Sequence, residues 1–341
     1  MNNRETKIVD ERIAEENSMH ILVTGGAGFI GSNFIRFMRQ KHPDDVLINL
    51  DALTYAGNLT NLADVAEGTH YHFVHGNILD RDLVTQVIRQ YQVDTIVNFA
   101  AESHVDRSIA DPLVFVDTNV RGTAALLDVA RQTQITRFLQ VSTDEVYGSI
   151  PGTGHVTETA PLRPSSPYAA SKASADLMAL ADHHTYGLDV VITRCANNYG
   201  PYQYPEKLIP LMIQHGLNGQ PLPVYGDGQK TRDWLHVTDH CRAIDLVLRG
   251  GQSGSIYNVT GNNEHANLAI VHRIIQQLSI DPRMIQHVPD RLGDDSRYAL
   301  DATKIRRELG WAPTISFDAG LSETIDWYQS HRGWWERLNT D

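Results

Sequence analysis

Cysteine is nearly absent: the 341-residue chain holds two, Cys195 and Cys241, in no CxxC or Cys/His ligand spacing. A disulfide framework and a structural zinc site are therefore not expected, and a reducing compartment, the cytoplasm, is. Long apolar runs are missing too. No stretch approaches the roughly 18 residues that a bilayer crossing requires. Residues 1–18 (MNNRETKIVDERIAEENS) carry charges of both signs and no apolar segment, so they read as a mobile arm or a short surface helix rather than a secretion signal. Basic charge is in short supply, with 29 Lys+Arg against 41 Asp+Glu and a formal net charge of −12. Nucleic acid is not an expected partner, because neutralising phosphates needs a basic face. A small anionic ligand would need a locally positive site set against the global field. The sixteen histidines, His183 and His184 among them, show no HExxH-like spacing, and no metal is expected.

What is present is an alternation. Short apolar runs at His20–Thr24, Val46–Leu50, Tyr71–His75, Thr95–Ala100, Phe138–Ser142 and Val190–Arg194 read as strands. Helical patterns lie between most of them, near Phe29–Gln40, Arg81–Gln90, Val114–Gln132 and Pro167–Tyr186. Strands alternating with helices at this spacing predict an α/β fold of the Rossmann type, a doubly wound parallel sheet, over residues 19–195. From 196 to 341 proline and glycine punctuate shorter elements, which predicts a smaller mixed α/β lobe for substrate. Part of 235–265 is expected to pack back on the first lobe.

The first strand runs into Thr24-Gly25-Gly26-Ala27-Gly28-Phe29-Ile30-Gly31-Ser32, which then opens a helix. Gly26, Gly28 and Gly31 fit GxGxxG, while Gly25, Gly28 and Gly31 fit GxxGxxG. In either register glycine permits the tight turn and lets backbone N–H groups reach a pyrophosphate at a helix N-terminus. A glycine triplet alone could be an ordinary turn. Asp51, at the end of the next strand about twenty residues on, is placed to accept the ribose hydroxyls of NAD. Its charge opposes the extra phosphate of NADP, and Ala52 and Leu53 offer no arginine to hold one.

Two further segments carry chemistry. Tyr168 and Lys172 form YxxxK and share one face of a helix. A phenol with a pKa of about 10 is a poor base at neutral pH, and lowering it three units takes about 4 kcal/mol. A nearby ammonium and a positive nicotinamide ring would favour the phenolate. The segment Ser142-Thr143-Asp144-Glu145-Val146-Tyr147-Gly148 follows an apolar strand, at the edge where open α/β sheets bind ligands. Thr143 brings a hydroxyl, Asp144 and Glu145 an adjacent acid and base. Neighbouring carboxyls in different microenvironments can hold different protonation states. That suits loss of water, in which one group protonates the leaving hydroxyl and the other removes a carbon-bound proton. The plainer alternatives are a solvated acidic turn and an ordinary amphipathic helix.

Together TGGAGFIGS, Ala100-Ala101-Glu102-Ser103-His104-Val105-Asp106, STDEVYG, Ser166-Pro167-Tyr168-Ala169-Ala170-Ser171-Lys172 and Asn197-Asn198-Tyr199-Gly200-Pro201 resemble the dTDP-glucose 4,6-dehydratases of the extended short-chain dehydrogenase/reductase superfamily. The likeness runs from Met19 to about Tyr328. It implies that Tyr168 takes the proton of the sugar 4-hydroxyl, Thr143 hydrogen-bonds that hydroxyl, Glu145 removes the C5 proton and Asp144 protonates the departing 6-hydroxyl, with NAD as resident cofactor. It implies a cofactor lining of Gly25, Gly28, Phe29, Ile30, Gly31, Asp51, Leu53 and Thr54. Asn77, Ile78, Ala100, Ala101, Thr118, Tyr168, Lys172 and Asn198 complete that lining. For the nucleotide sugar it implies Ser103, Asn197, Lys207, Leu208, Pro223, Tyr225, Arg232, Asn267, Asp290 and Arg291, besides Thr143, Asp144 and Glu145. Lys207, Arg232 and Arg291 would then be the local positive charges, a surface salt bridge being the plain alternative for each. A homodimer pairing the helices near Val114–Gln132 and Pro167–Tyr186 is also implied.

The chain departs from that pattern at Ala52, where a lysine is usual, at Asn77, where an aspartate is usual, and at Asp294, where a histidine is usual. The last bears on the nucleotide, dTDP or UDP, rather than on the chemistry. Among related enzymes, 4-epimerases lack the acid–base pair and UDP-glucuronate decarboxylases keep the glutamate without the aspartate, so Asp144 discriminates. A non-catalytic NAD-binding regulator would tend to lose Tyr168 and Lys172, and both are present.

Overall fold

The structure, a computed structural model, describes residues 18–65, 68–290, 293 and 295–338. The N-terminal arm, save Ser18, lies outside the described residues, as do Arg291 and Asp294.

Seven parallel strands form the main sheet: β1 (His20–Thr24), β2 (Val46–Asp51), β3 (Tyr71–His75), β4 (Thr95–Asn98), β5 (Arg137–Thr143), β6 (Val190–Cys195) and β10 (Ile256–Val259). Their order is β3-β2-β1-β4-β5-β6-β10. The chain reverses its winding between β1 and β4, and that crevice is where such sheets bind nucleotides. Central strands such as HILVT and VLINLD are buried almost throughout and apolar at their centres because both sheet faces are covered. Helices Phe29–Lys41 and Val237–Gly250 bury Phe34, Ile35, Met38, Cys241, Ile244 and Val247 on one face. Helices Arg81–Tyr91, Thr123–Gln132 and Pro167–Tyr186 bury Val84, Ile88, Leu126, Leu127 and Ala179 on the other. The expected doubly wound α/β sheet is present, with strand ends within two residues of the sequence reading.

One helix differs from expectation. The stretch read as a single helix from Val114 begins earlier, at Pro112, and passes through a π turn at Val116–Gly122 before Thr123–Gln132. Within that wide turn Asn119 is buried, accepting from Glu102 N–H at 2.9 Å and donating to the Glu102 carbonyl at 3.0 Å and Ser171 Oγ at 2.8 Å. A π turn inside an α-helix commonly marks a functional site, and this one faces the segment after β4.

Beyond residue 196 a mixed three-stranded sheet runs β11 (Glu264–Ala266), β9 (Thr231–His236) and β7 (Asn197–Tyr199), and a parallel pair joins β8 (Leu222–Tyr225) to β12 (Ile285–Val288). Helices Leu208–Leu217, Asn267–Leu278 and Phe317–Ser330 close a second core around Tyr199, Trp234, Ile274, Phe317 and Trp335. The chain returns to the first core through Val237–Gly250 and β10. Among the described residues no helix is long and apolar enough to cross a membrane.

Candidate active site

The chemistry-bearing residues gather where the parallel strands end. Gly25 leaves β1 at φ +68, and a Cβ there would sit 2.8 Å from Ala100 N and 2.9 Å from its Cα. A Cβ on Gly31 would overlap the Gly25 carbonyl. The loop is thus a backbone cradle that side chains would fill. Gly28 caps the Phe29–Lys41 helix without a side chain, leaving N–H groups of the first turn available to an anion. At the end of β2, Asp51 accepts from Ala27 N–H at 2.9 Å and Leu53 N–H at 2.8 Å. Burial raises the Asp51 pKa, while those two N–H groups and His75 hold it down. Its carboxylate is thereby aimed beside the glycine turn. Ala100 and Ala101 follow β4, Thr118 lies in the π turn, and buried Ile78 packs under Gly122. Thr54 and Asn77 are exposed, and Asn77 Oδ1 accepts from Leu79 N–H at 2.9 Å. Asn198 Oδ1 pairs with His240 Nδ1 at 2.9 Å, where burial holds the imidazole neutral down to about 3. These features fit a dinucleotide: a glycine cradle at a helix start, with an oriented acid about twenty residues on.

At the end of β5, Thr143 opens a short 3₁₀ turn, Asp144–Tyr147, and its hydroxyl accepts from Glu145 N–H at 3.3 Å. Asp144 is only 2% exposed, and its Oδ2 has no partner among the described residues. Burial, reinforced by the Glu145 charge, pushes its pKa well above the usual 3.8. Glu145 is only partly buried. The two adjacent carboxyls therefore occupy unlike environments, one dry and with its protonated form favoured, one only partly buried. Tyr168 lies close enough to share a hydrogen bond with Thr143 and to feel the Glu145 and Asp144 charges.

The Pro167–Tyr186 helix starts with Pro167 in its first turn and Ser166 Oγ accepting from Ala169 N–H at 3.1 Å, which fixes where Tyr168 and Lys172 project. Lys172 is buried and donates to the Val141 carbonyl at 2.7 Å. In the polypeptide the Tyr168 phenol is held up, not down: burial and Glu145 raise its pKa well above 10 against the one lowering bond from Thr143. Lys172 is lowered by burial, with Asp176 and Cys195 opposing. Added positive charge is what the phenolate requires.

The residues assigned to the nucleotide sugar form two groups. Lys207 donates to the Ser103 carbonyl at 2.9 Å, just before Leu208 starts its helix. Further out, Pro223 and Tyr225 on β8 run beside β12, and Asp290 pairs with Lys230 at 2.6 Å. Asn267 follows β11, and its Oδ1, like that of Asn197, is buried without a partner among the described residues. Arg232 is buried with its guanidinium 4.4 Å from the centre of the Tyr298 ring, and its charge reaches Asp144. Two residues escaped the sequence reading. Tyr298 donates to Asp295 at 2.9 Å and lies within the field of Glu145 and Asp144. Cys195, directly opposite Thr143 in the β5–β6 register, lies beside Asp144 and Lys172, and its thiol is pushed up to about 12. The apolar run at Val190–Arg194, which stops one residue short of Cys195, was a signal that could have found it; Tyr298 had no local signal.

A family model described as GDP-mannose 4,6 dehydratase matches residues 22–324. A dTDP-glucose 4,6-dehydratase of Streptomyces niveus is 53% identical over 326 residues, covering 94% of this chain and 96% of that protein. The crystal structure of a dTDP-glucose 4,6-dehydratase from Streptomyces venezuelae with NAD bound superposes with a TM-score of 0.91 at 54% identity, covering 94% of this chain and all of that one. A UDP-glucose 4-epimerase from Thermotoga maritima shares the fold more distantly, with a TM-score of 0.85 at 27% identity, covering 92% of this chain and 99% of that one.

Proposed function

Because the chain belongs to the dTDP-glucose 4,6-dehydratase family of the extended short-chain dehydrogenase/reductases, we propose that it is a hydro-lyase converting dTDP-glucose to dTDP-4-keto-6-deoxyglucose and water. The observation that carries this reading is the pair Asp144 and Glu145: a buried carboxyl whose pKa is raised beside a partly exposed one, on a turn close to Tyr168. An epimerase needs no proton for a leaving hydroxyl, whereas elimination does.

Bound NAD⁺ supplies a hydride acceptor, a hydride donor and a positive charge, and ends the cycle as it began. Gly25, Gly28 and Gly31 would cradle its pyrophosphate and Asp51 its ribose. Tyr168, once ionised, accepts the proton of the 4-hydroxyl, and Thr143 orients that hydroxyl. The new C4 ketone acidifies the C5 hydrogen, which Glu145 removes as a proton. Asp144 gives its proton to the 6-hydroxyl, which leaves as water as the C6–O bond breaks and a C5–C6 double bond forms. Glu145 returns a proton to C5 as C6 is reduced; Tyr168 then releases its extra proton to solvent and Asp144 takes one up. Residues 19–195, joined by β10 and the Val237–Gly250 helix, would serve the dinucleotide, and 196–341 the nucleotide sugar.

Two finer readings accompany this one. A homodimer is supported by Leu113, Val114 and Val116 on one helix and Leu177 and Met178 on another, all exposed. The cytoplasm is supported by ligands that are both soluble nucleotides and by two thiols that are buried and unpaired. The deciding experiment offers dTDP-glucose, UDP-glucose and UDP-N-acetylglucosamine separately and reads product by mass. Loss of one water with a new ketone from dTDP-glucose is expected. Epimerised sugar of unchanged mass would overturn the assignment.

A further inference from the structure

The two chemical elements of the site are tied together by one buried polar bridge. Arg194, on β6, donates from Nε to Asp176 Oδ2 at 2.9 Å and from Nη1 to the Tyr147 hydroxyl at 2.9 Å. That hydroxyl donates in turn to Asn258 Oδ1 at 2.9 Å, on β10, and Asn258 Nδ2 is anchored on the Val156 carbonyl at 3.0 Å. All four side chains are buried. Tyr147 closes the turn that bears Asp144 and Glu145. Asp176 stands one helical turn beyond Lys172 and two beyond Tyr168, on the same face. The guanidinium therefore touches the phenol helix with one edge and the acid–base turn with the other.

A buried ion pair adds little stability, since desolvating both charges offsets their attraction, and apolar side chains of similar volume would serve the core as well. Its distinctive property is geometry. A planar fork with fixed donors sets the distance and angle between its two partners, which a lysine or an aliphatic chain cannot do. The proposed reaction needs such a constraint, because Tyr168 acts at C4 while Glu145 and Asp144 act at C5 and C6 of the same ring.

We propose that Arg194, Asp176 and Tyr147 are positioning residues that hold the acid–base turn in register with the phenol helix. The inference rests on the dehydratase reading. Its signature is a partition between half-reactions: oxidation at C4 proceeds while elimination is misaligned.

Tyr147→Phe removes one hydroxyl and keeps the ring. After rapid mixing of the holoenzyme with dTDP-glucose, the near-ultraviolet absorbance of reduced nicotinamide should rise within about twofold of the parental rate, while product forms on the order of tenfold more slowly. Reduced dinucleotide should therefore accumulate during turnover, which loosened packing alone would not produce. Arg194→Lys keeps the charge beside Asp176 and loses the fork, and should show the same accumulation. If Arg194→Lys does not fold, Tyr147→Phe decides alone. Equal slowing of both phases in Tyr147→Phe, or of neither, overturns the positioning role. A parent enzyme that makes no 4-keto product from dTDP-glucose removes the dehydratase reading instead, so the two failures are distinguishable.

Discussion

The cradle after β1 and the outer substrate group are built on opposite plans. In the cradle the contacts come from backbone: Gly25, Gly28 and Gly31 contribute the absence of side chains, and Asp51 is aimed by the N–H groups of Ala27 and Leu53. The outer group depends on side chains from distant segments, Pro223 and Tyr225 on β8, Asn267 after β11 and Asp290 after β12. A contiguous backbone site is written within about thirty residues of sequence. A site of converging side chains is written nowhere in particular, and only the fold assembles it. The acid–base turn stands between the two, local in its residues and long-range in its support. Damage at the phenol and the turn should therefore lower kcat, damage in the outer group should raise KM, and damage to an exposed side chain beside the cradle should do little.

The largest effect is expected at Tyr168. Replacement by phenylalanine leaves the ring edge-on against Phe115, with centroids 6.3 Å apart, and deletes only the proposed proton acceptor. General-base removal costs about 10²–10⁴-fold, so kcat should fall by that order with the nicotinamide reduction step itself suppressed. An undiminished single-turnover reduction signal would place the base elsewhere.

Asp144→Asn comes next, and it separates chemistry from stability. Elimination should slow about 10²–10³-fold while C4 oxidation survives, leaving reduced dinucleotide on the enzyme. Stability should move the other way. Burial raises the folded-state pKa of Asp144 above the usual 3.8. The native chain thus holds a proton that the unfolded chain releases, and the parent loses stability as pH rises from that value toward the folded one. An amide has no proton to lose. The variant's thermal midpoint should equal or exceed the parent's at neutral pH, with the difference shrinking toward pH ~4. A variant less stable at neutral pH than in acid, relative to parent, would show that the buried carboxyl is ionised and paired.

These two sites illustrate how much the sequence reveals. The alternation of apolar runs and helices, the glycine turn, Asp51, STDEVYG and YxxxK are local patterns, and the folded chain places them along one sheet edge. What stayed hidden is long-range. Arg194 and Tyr147 are 47 residues apart, and Tyr147 and Asn258 are 111 apart. Trp334 donates to Asn61 at 2.9 Å across 273 residues, and Asn61 in turn donates to the Ala27 carbonyl of the glycine turn at 2.9 Å. No periodicity encodes such pairings. The direction of the Tyr168 shift was hidden for a related reason: YxxxK displays the ammonium, but the burial and the Glu145 charge that outweigh it arise only in the fold.

Lys207→Met tests the substrate side. The ammonium lies 3.7 Å from Glu206 and donates to the Ser103 carbonyl, and the methionine keeps the stem that packs there. Loss of one charge-assisted contact to an anionic substrate should raise KM about tenfold with kcat held within about twofold. A fall in kcat at unchanged KM would move Lys207 from binding to chemistry and blur the division between the outer group and the acid–base turn.

The smallest effect is expected where the cradle uses an exposed side chain. Asn77 Oδ1 already accepts from Leu79 N–H, a turn that leads into the Arg81–Tyr91 helix, so one lone pair remains for a cofactor amino group. Because the residue is exposed, water competes for that lone pair, and a net hydrogen bond of this kind contributes about 0.5–1.5 kcal/mol. Asn77→Ala should therefore weaken NAD binding about threefold, measured by titrating dinucleotide-stripped protein, and leave kcat at saturation unchanged. Asn77→Asp, which adds charge to the same acceptor, should tighten binding by a similar factor. If Asn77→Ala instead emptied the enzyme of dinucleotide, the glycine backbone would not be the main holder, and the two halves of the site would differ less than their construction suggests.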